Sequence, residues 1–442
     1  MKLFSTYSVK IKSLNHIFQP TAERYRAAVD FFIGVIWRER GRFQELSNAN
    51  AAVTVAESLT VATPKHPEVN CLFAEMFYKF PSYLRRAAIR EAFGKVCSYQ
   101  SNLKNWEQAE PETRGKKPGL PKAGYVYPAM YRDNCFVRTG TYTASLKVWI
   151  RNTWDWIDVE LNKGDVDYIL RHCRNRKECV PTLQKRGKEW FLDFSFEEKV
   201  TLCESDIFDT TIVSVDLGIN NACTCSVMHS DGTVTGREFL SLPVEKDSLE
   251  HSINRIKKAQ QHGARRMPRL WARAKGINDR IAVLTAQFIM DTAVKYNADV
   301  IVFEHLDVQG KKRGSKKQRL HMWRCQYVQA MVSDKAHRLK MHVSHICAWG
   351  TSRLAYDGSG KVERGTEAGL KSYSVCKSQT GKVYNCDLNA SYNIGARYFI
   401  REIIKSMPET ARLDVQAKVP ELSRRSTCTL SSLIKLNAVL AA

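Results

Sequence analysis

The chain has 442 residues, with 68 Lys and Arg against 45 Asp and Glu, which gives a formal net charge of +23. A hydrophobic content of 44% is ordinary for a globular protein and excludes a disordered basic tail. The charge exceeds what solubility needs and is typical of a protein with a polyanionic partner. Because no apolar stretch approaches ~18 to 20 residues and no signal-peptide h-region follows Met1, we expect a soluble cytoplasmic protein without membrane binding.

The N-terminal half predicts helices and then strands. An alternating strand at residues 7–12 precedes helical periodicity over 22–43 and 80–106, where aromatic and basic side chains predict a helical recognition lobe. A Pro/Gly/Lys hinge at 114–121 ends this lobe. From 125 to 196, short alternating runs separated by turns predict a small β-barrel beside it.

Three acidic residues in the C-terminal half stand at the ends of predicted elements. Asp216 and Glu304 each end a short apolar run rich in β-branched residues, so a buried strand delivers each carboxylate to its exposed end. Asp387 lies at the start of a predicted helix that runs to about Ile404, with Asn389 as its expected cap. Two strand ends and a helix start can converge on one point.

Carboxylates in such a cluster suit phosphodiester hydrolysis. The reaction needs a nucleophilic water near neutral pH and a counter-charge on the leaving oxygen, and two divalent ions about 3.5 to 4 Å apart supply both. Hard oxygen ligands favour Mg²⁺ or Mn²⁺. We therefore predict Asp216, Glu304 and Asp387 as catalytic residues and as ligands of two such ions.

Two basic clusters flank Glu304 along the chain and are predicted to clamp phosphate backbones. A helix through the first cluster would carry Arg255, Lys257, Lys258, Arg265, Arg266, Arg269, Arg273 and Lys275. The second consists of Lys311, Lys312, Arg313, Lys316 and Lys317. The alternative for either cluster is a solvated charged face. Neither shows a base-reading pattern, which fits proteins that hold a heteroduplex by its shape while a guide supplies the sequence.

The 13 cysteines form no regular framework, so we expect reduced and mostly buried thiols. Cys223 and Cys225 alternate on a predicted strand, which places both sulfurs on one face. We interpret this pair as core packing.

The segments Val215–Asn221, Val302–Leu306 and Cys386–Ile394 resemble the three catalytic motifs of transposon-encoded TnpB proteins and the related type V CRISPR effectors. The resemblance extends to Trp349–Ser352, which is similar to that family's lead-in to a zinc ribbon. It implies a multidomain α/β fold: an RNase H-like RuvC nuclease domain with a ribbon-like insertion, preceded by a small β-barrel (wedge) domain carrying a helical recognition insertion. In the N-terminal half the resemblance is one of layout only.

The implied domains follow chain order. They are the first wedge strand at 1–18, the helical lobe at 19–113, the wedge barrel at 114–209, the first RuvC part at 210–348, the ribbon-like insertion at 349–385, the third motif and helix at 386–406, and a C-terminal tail of no readable assignment at 407–442.

The ribbon departs from the family pattern of two Cys-x-x-Cys knuckles. Ala355 and Gly358 occupy the positions of the first cysteine pair. In the second knuckle Cys376 is present, but Gln379 occupies the position of its partner cysteine. Because a structural zinc site needs four N or S ligands, we expect no structural zinc. The predicted packing residues of a metal-free insertion are Tyr356, Tyr373 and Tyr384. An alternative replacement zinc set would be His345, Cys347, Cys376 and Cys386.

Two functions from different classes remain open. The first is an RNA-guided DNA endonuclease, with guide RNA and double-stranded target DNA as partners and a short flanking motif beside the target. The second is a guided binder that represses targets without cutting. A protein-only resolvase or transposase is less favoured because it leaves about 200 basic N-terminal residues without a role. The sequence leaves the identity of the guide, the flanking motif and the oligomeric state undetermined.

Overall fold

The fold is given by a computed structural model, which describes residues 1–12, 16–46, 48–64, 67–69, 71–112, 114–218, 221–306, 323–365, 369–370, 372 and 374–442. The chain is a mixed α/β protein, as the sequence predicts. It divides into two compact units, one formed by Lys2–Glu198 and the other by Lys199–Ala442 together with Met1.

The N-terminal unit is built on a seven-stranded sheet of order β2-β3-β4-β1-β7-β5, with β6 paired to β7. Its strands are β1 (Lys2–Lys12), β2 (Phe136–Arg138), β3 (Thr143–Ile150), β4 (Thr153–Leu161), β5 (Lys177–Glu178), β6 (Thr182–Arg186) and β7 (Glu189–Lys199). The alternation along β3 buries Ala144, Leu146 and Val148 in the core. The first strand of the chain thus lies inside the sheet. Closure of this sheet into the wedge barrel stays a prediction.

Several α-helices are inserted between β1 and β2 in the described part of the chain. They are α1 (Phe18–Arg38), α2 (Ala49–Thr60), α3 (Phe73–Met76) and α4 (Ser82–Gln108), and α5 (Lys163–His172) follows β4. Helix α1 packs along α4. A cluster of aromatic rings including Phe32, Phe73 and Phe77 fills the space between the helices, with Phe73 and Phe77 stacked at 4.5 Å. The aromatic periodicity seen in the sequence is therefore core packing.

The C-terminal unit is built on a five-stranded sheet of order β10-β9-β8-β11-β12. Its strands are β8 (Ile212–Leu217), β9 (Cys223–Met228), β10 (Val234–Leu240), β11 (Val300–His305) and β12 (His342–Cys347). Strands β8, β11 and β12 run parallel to one another. Strand β9 runs antiparallel to β8, and β10 runs antiparallel to β9. The buried pair Cys223 and Cys225 lies in one core cluster, as predicted.

Helices cover both faces of this sheet. They are α6 (Pro243–Gln261), α7 (Pro268–Lys295), α8 (Cys325–Arg338), α9 (Cys386–Ser406), α10 (Glu409–Lys418) and α11 (Leu430–Ala441). Helix α9 packs on β8, β9, β11 and β12, and its residues from Asn389 to Ile400 are all buried. Helices α7 and α8 share the core on the opposite face.

The segment between β12 and α9 forms a small three-stranded sheet, and the end of the chain folds back on α9. The small sheet consists of β13 (Glu363–Arg364), β14 (Val375–Lys377) and β15 (Val383–Asn385). Leu430, Leu433 and Leu436 of α11 are buried with α9 in one core cluster, so the C-terminal segment is part of the unit. Among the described residues, no helix is long and apolar enough to cross a membrane.

Candidate active site

Asp216 and Glu304 stand side by side at the ends of two neighbouring parallel strands. Val215 of β8 pairs with Phe303 of β11, so the next residue on each strand reaches the same level. Adjacent strands lie about 4.8 Å apart, and residues in register on parallel strands project from the same face. The two carboxylates predicted from strand ends are therefore neighbours.

The pleat decides which face of the sheet they share. Ile212 and Val302 belong to the core formed with α9, whereas Val215 and Phe303 belong to the core formed with α7 and α8. Asp216 is an even number of positions from Ile212, and Glu304 from Val302, so both acids project towards α9.

Asp387 is in the first turn of α9 and reaches the same point. The side chain of Asn385 caps the helix and accepts hydrogen bonds from the backbone N–H groups of Asp387 (2.8 Å) and Leu388 (3.0 Å). The prediction of Asn389 as the cap is wrong. The observed cap lies four residues earlier, because β15 delivers Asn385 in an extended conformation directly to the helix start.

Three neutral donors orient this carboxylate cluster, which we define as Asp216, Glu304 and Asp387. The Thr351 hydroxyl donates to Oε1 of Glu304. Asn221 Nδ2 donates to Oδ2 of Asp387 at 2.6 Å. The Gln329 amide donates to the Glu304 backbone carbonyl at 2.9 Å.

None of these three donors was predicted from the sequence. Asn221 and Thr351 lie within segments that carry the family resemblance, which was the available signal for them. Gln329 lies outside those segments.

The electrostatics of the cluster reflect buried like charges. Burial raises the pKa of Asp216 well above its ordinary value, and the nearby Glu304 and Asp387 carboxylates raise it further, while Arg364 opposes them. Burial also raises the pKa of Glu304, against the Thr351 hydrogen bond and the charge of Arg397. Asp216 is thus within electrostatic range of both other acids.

Carboxylate oxygens such as those of this cluster are the type of ligand that hard divalent cations prefer. Among the described residues, no group of three or more Asp, Glu, His or Cys side chains is arranged so that it could hold a metal ion. The hydrogen bonds from Thr351 and Asn221 occupy one oxygen each, which leaves Oε2 of Glu304, Oδ1 of Asp387 and both Asp216 oxygens for a cation. A cation bound there would relieve the repulsion that raises the pKa of Asp216.

The small sheet brings together two of the four residues of the alternative zinc set. Cys376 and Cys386 are both buried, and the hydrogen bond between their sulfurs raises the pKa of Cys376. The His345 ring stacks on Phe303 at 6.0 Å, on the α7 and α8 side of the large sheet. The described residues therefore do not assemble the replacement set around one point.

The positions where the family pattern has cysteines are filled in other ways. Ala355 is fully buried, and Gly358 has a φ of +77°, a conformation that a cysteine would adopt only with strain. Tyr356 packs edge-on against Tyr384 (4.9 Å) and Tyr392 (5.4 Å). Tyr373, the third predicted packing residue, lies outside the described residues.

The first basic cluster is a helical hairpin, so the prediction of one helix through it is wrong. Helix α6 ends at Gln261 and α7 begins at Pro268, with Gly263 at a φ of +83° in the turn. Exposed along the hairpin are Arg255, Lys257, Lys258, Arg265, Arg266, Arg269, Arg273 and Lys275. Within the described part of the chain none of these eight pairs with an acid, so the hairpin is free to bind phosphates. Trp271, 38% exposed among them, was missed by the sequence analysis.

The second basic cluster cannot be placed in the same way. Its five residues, Lys311, Lys312, Arg313, Lys316 and Lys317, lie outside the described residues.

The N-terminal unit has an aromatic and basic cleft that the sequence analysis also missed. The cleft has a volume of about 800 Å³, and Tyr125 at its edge is 93% exposed. Arg90, Lys95 and Lys122 line it together with Tyr127. Exposed aromatic rings beside cations are typical of surfaces on which nucleobases stack.

Comparison with known proteins gives matches at the sequence and structure levels. The Aq_aa04 family matches residues 5–150. An uncharacterized protein, aq_aa04 of Aquifex aeolicus (strain VF5), is 33% identical over 118 residues, covering 24% of this chain and 66% of that protein. This chain therefore spans just under two thirds of that relative's length.

Among the solved structures with similar chains are the following three complexes with RNA. They are a Cas12f1–sgRNA–target DNA complex (TM-score 0.34, 13% identity, 89% of this chain and 98% of that one), CasPhi-2 (Cas12j) bound to crRNA (0.35, 11%, 89% and 97%) and Alicyclobacillus acidoterrestris C2c1 with single-guide RNA (0.36, 9%, 86% and 70%). At TM-scores below 0.5 this likeness does not establish a shared fold.

Proposed function

We propose that this chain is an RNA-guided DNA endonuclease whose RuvC-type centre uses Asp216, Glu304 and Asp387. The observation that carries the proposal is the convergence of these acids: two project from one face of neighbouring parallel strands, and the third begins the helix packed on that face. Buried or half-buried acids that repel one another serve no structural purpose by themselves, since charge withdrawn from water without a partner destabilises a fold. The destabilisation that these acids cause is explained if the site binds cations.

The residues of the centre have separate roles in this proposal. Two bound Mg²⁺ or Mn²⁺ ions would supply a nucleophilic water and a counter-charge for the leaving oxygen. The three carboxylates would hold these ions through the oxygens that Thr351 and Asn221 leave free. Thr351 and Asn221 would fix the carboxylate orientations, so that the site is arranged before substrate arrives.

Guide RNA and double-stranded DNA are the partners we propose. The motifs around the three acids resemble those of TnpB and type V effectors, and the net charge of +23 favours polyanions. The α6–α7 hairpin exposes eight cations that pair with no acid among the described residues, and these would make backbone contacts that do not depend on sequence. A guide would then supply the sequence specificity.

The test is cleavage of guide-matched DNA by Asp216→Ala, Glu304→Ala and Asp387→Ala variants. We expect each to abolish cleavage while RNA and target binding stay nearly intact, because a lost ligand disables the chemistry but not the basic surfaces. Cleavage by the unaltered protein should require Mg²⁺ or Mn²⁺ and stop with a chelator. Asp414→Ala is the matched control, since Asp414 is exposed on α10, and it should cut normally.

The outcomes separate the alternatives. A variant that still cuts at a comparable rate removes its residue from the centre. If the unaltered protein binds guided targets but does not cut them, the guided-binder function replaces this one. If no RNA copurifies with the protein, both guided functions fail and a protein-only resolvase is favoured.

A further inference from the structure

The C-terminal unit contains a second basic cavity that the proposed nuclease function does not use. It has a volume of about 800 Å³ and lies between the end of β12, the second half of α9 and the segment around α10 and Leu422. All of its lining residues are within the described part of the chain. Its size is within the range of pockets that bind small molecules.

The charge of this C-terminal cavity is strongly one-sided. Besides buried Arg397, its basic lining residues are Arg401, Lys405, Arg412 and Arg425, against Glu402 as the acid. Arg397 donates to backbone carbonyls, so it adds charge without reaching a ligand.

The other four basic residues differ in how far they are engaged. Arg401 is held by Glu402 at 2.8 Å. Lys405 is 3.8 Å from Glu402 with a side chain that is 77% exposed, and Arg412 is 3.5 Å from an 80% exposed Glu409. Arg425 is exposed and has no acidic partner among the described residues. Three cations at the rim are therefore available to an anion.

The wall of the cavity is apolar. Ile346, Ile400, Ile404 and Leu422 line it. An apolar wall beneath guanidinium and ammonium groups matches a ligand with a flat, weakly polar part and a phosphate, since guanidinium groups bind phosphate through paired N–H donors. This is the chemistry of a nucleotide.

The cation-bearing rim of the C-terminal cavity is separate from the carboxylate cluster, although Ile346 of its inner wall pairs with Glu304 in the sheet. Arg401 follows Asp387 by 14 positions on the continuous helix α9. At 1.5 Å per residue the two are roughly 21 Å apart along the helix axis. A phosphate bound at the rim cannot be the one that the carboxylate cluster would cleave.

We propose that this C-terminal cavity binds a nucleotide, with Lys405, Arg412 and Arg425 contacting its phosphate and the isoleucine wall contacting its base. The ligand is either a free nucleoside 5′-monophosphate or the 5′-phosphorylated end of a single strand, which present the same chemistry. The site does not depend on the nuclease proposal, because none of its residues belongs to the carboxylate cluster.

The experiment is calorimetric titration of the full chain in chelator with three probes: a nucleoside 5′-monophosphate, the same nucleoside without phosphate, and a 5′-phosphorylated trinucleotide. We expect at least one phosphate-bearing probe to bind and the bare nucleoside to bind much more weakly. The Arg412→Glu/Arg425→Glu variant should weaken phosphate-probe binding by about tenfold or more. Which phosphate-bearing probe binds more tightly identifies the source of the ligand.

Lys418→Glu/Arg424→Glu is the matched control, because it changes the net charge equally at exposed positions that do not line the C-terminal cavity. Binding should persist in the control and in Asp216→Ala, which disables the nuclease centre. Equal weakening by the control variant would show attraction to overall charge and overturn the proposal. So would absence of binding by both phosphate-bearing probes.

Discussion

Replacing Arg397 with Met should destabilise the C-terminal unit more than any single surface change. The Arg397 side chain is only 4% exposed. It donates to the backbone carbonyls of Cys347, Trp349 and Ser426 at 2.8 Å each, and of Cys428 at 2.9 Å. Burial lowers the pKa of its guanidinium, but these carbonyls and the Glu304 charge offset the cost of burying the cation.

The expected loss of stability follows from the backbone carbonyls that Met leaves without a hydrogen-bond donor. Each hydrogen bond to a charged group contributes on the order of 1.5 to 3 kcal/mol, but removing the guanidinium also removes its own desolvation cost. Breaking a buried charged network by losing one partner costs about 3 to 5 kcal/mol. In a unit of this size each kcal/mol corresponds to about 2 to 4 °C, so we expect Tm to fall by roughly 6 to 20 °C.

The assay is thermal unfolding of the full chain, with urea unfolding as a second measure of the free energy. Arg424→Met is the control, since Arg424 is exposed and its loss should change stability by less than about 0.5 kcal/mol. Arg397→Lys should fall between the two, because one ammonium presents three donors from a single point. If Arg397→Met lowers Tm by less than about 2 °C, the four hydrogen bonds do not hold the segment and the reasoning fails.

Three further predictions concern the carboxylates, the hairpin and the small sheet. Because the folded state raises the pKa of Asp216 above its ordinary value of 3.8, the associated stabilisation is present below that pH and is lost as pH rises through the folded pKa. In chelator, Asp216→Asn should therefore be more stable than the unaltered protein at pH 7 to 8. Thermal unfolding should show that this difference in stability shrinks towards pH 4. If Asp216→Asn is instead less stable by the same amount at every pH, the prediction is wrong. Reversing Arg265, Arg266 and Arg269 together should weaken nucleic-acid binding at every sequence and reduce the slope of log affinity against log salt by roughly 2 to 3, whereas an unchanged slope would make the hairpin a solvated face. Elemental analysis after purification without a His-tag column should give less than one zinc per chain, and stoichiometric zinc that disappears on Cys376→Ser would refute the metal-free interpretation.

The strand ends were predictable because their signal is local. Buried parallel strands are continuous apolar runs, so the residues ending them could be identified without knowing the sheet order. That Asp216 and Glu304 share a face required the register, which a sequence of this kind does not show. The predicted position of the α9 cap was wrong for a related reason. Asn385 and Asn389 are both good capping residues, and only the path of β15 distinguishes them.

Two other elements were missed for different reasons. The α6–α7 turn lies in a basic run without apolar periodicity, so nothing in the pattern marked where one helix ended. Helix α11, by contrast, had a readable signal in the spacing of Leu430, Leu433 and Leu436 and in the capping box of Thr429 with Ser432. What the sequence could not show was that these leucines pack on α9.

A row of buried polar residues in α9 marks the limit of reading the site from the sequence. Asn389, Asn393 and Arg397 recur every four residues, a spacing that normally predicts a solvent-facing stripe, yet all three are buried. Each is satisfied by backbone groups of distant segments: Asn389 by Tyr356 N–H at 2.8 Å, and Asn393 by the Leu354 carbonyl at 2.9 Å.

This polar row positions the segment around Thr351, which the motifs alone do not explain. Asn393 also donates to the Thr351 carbonyl at 2.9 Å. Arg397 donates to the carbonyl of Trp349, which lies two residues before Thr351. Thr351 in turn donates to Glu304. Because buried polar groups are costly unless fully paired, the row specifies one conformation of this segment rather than adding general stability. The helix that supplies Asp387 therefore also sets the orientation of Glu304, through residues that sequence patterning would assign to the surface.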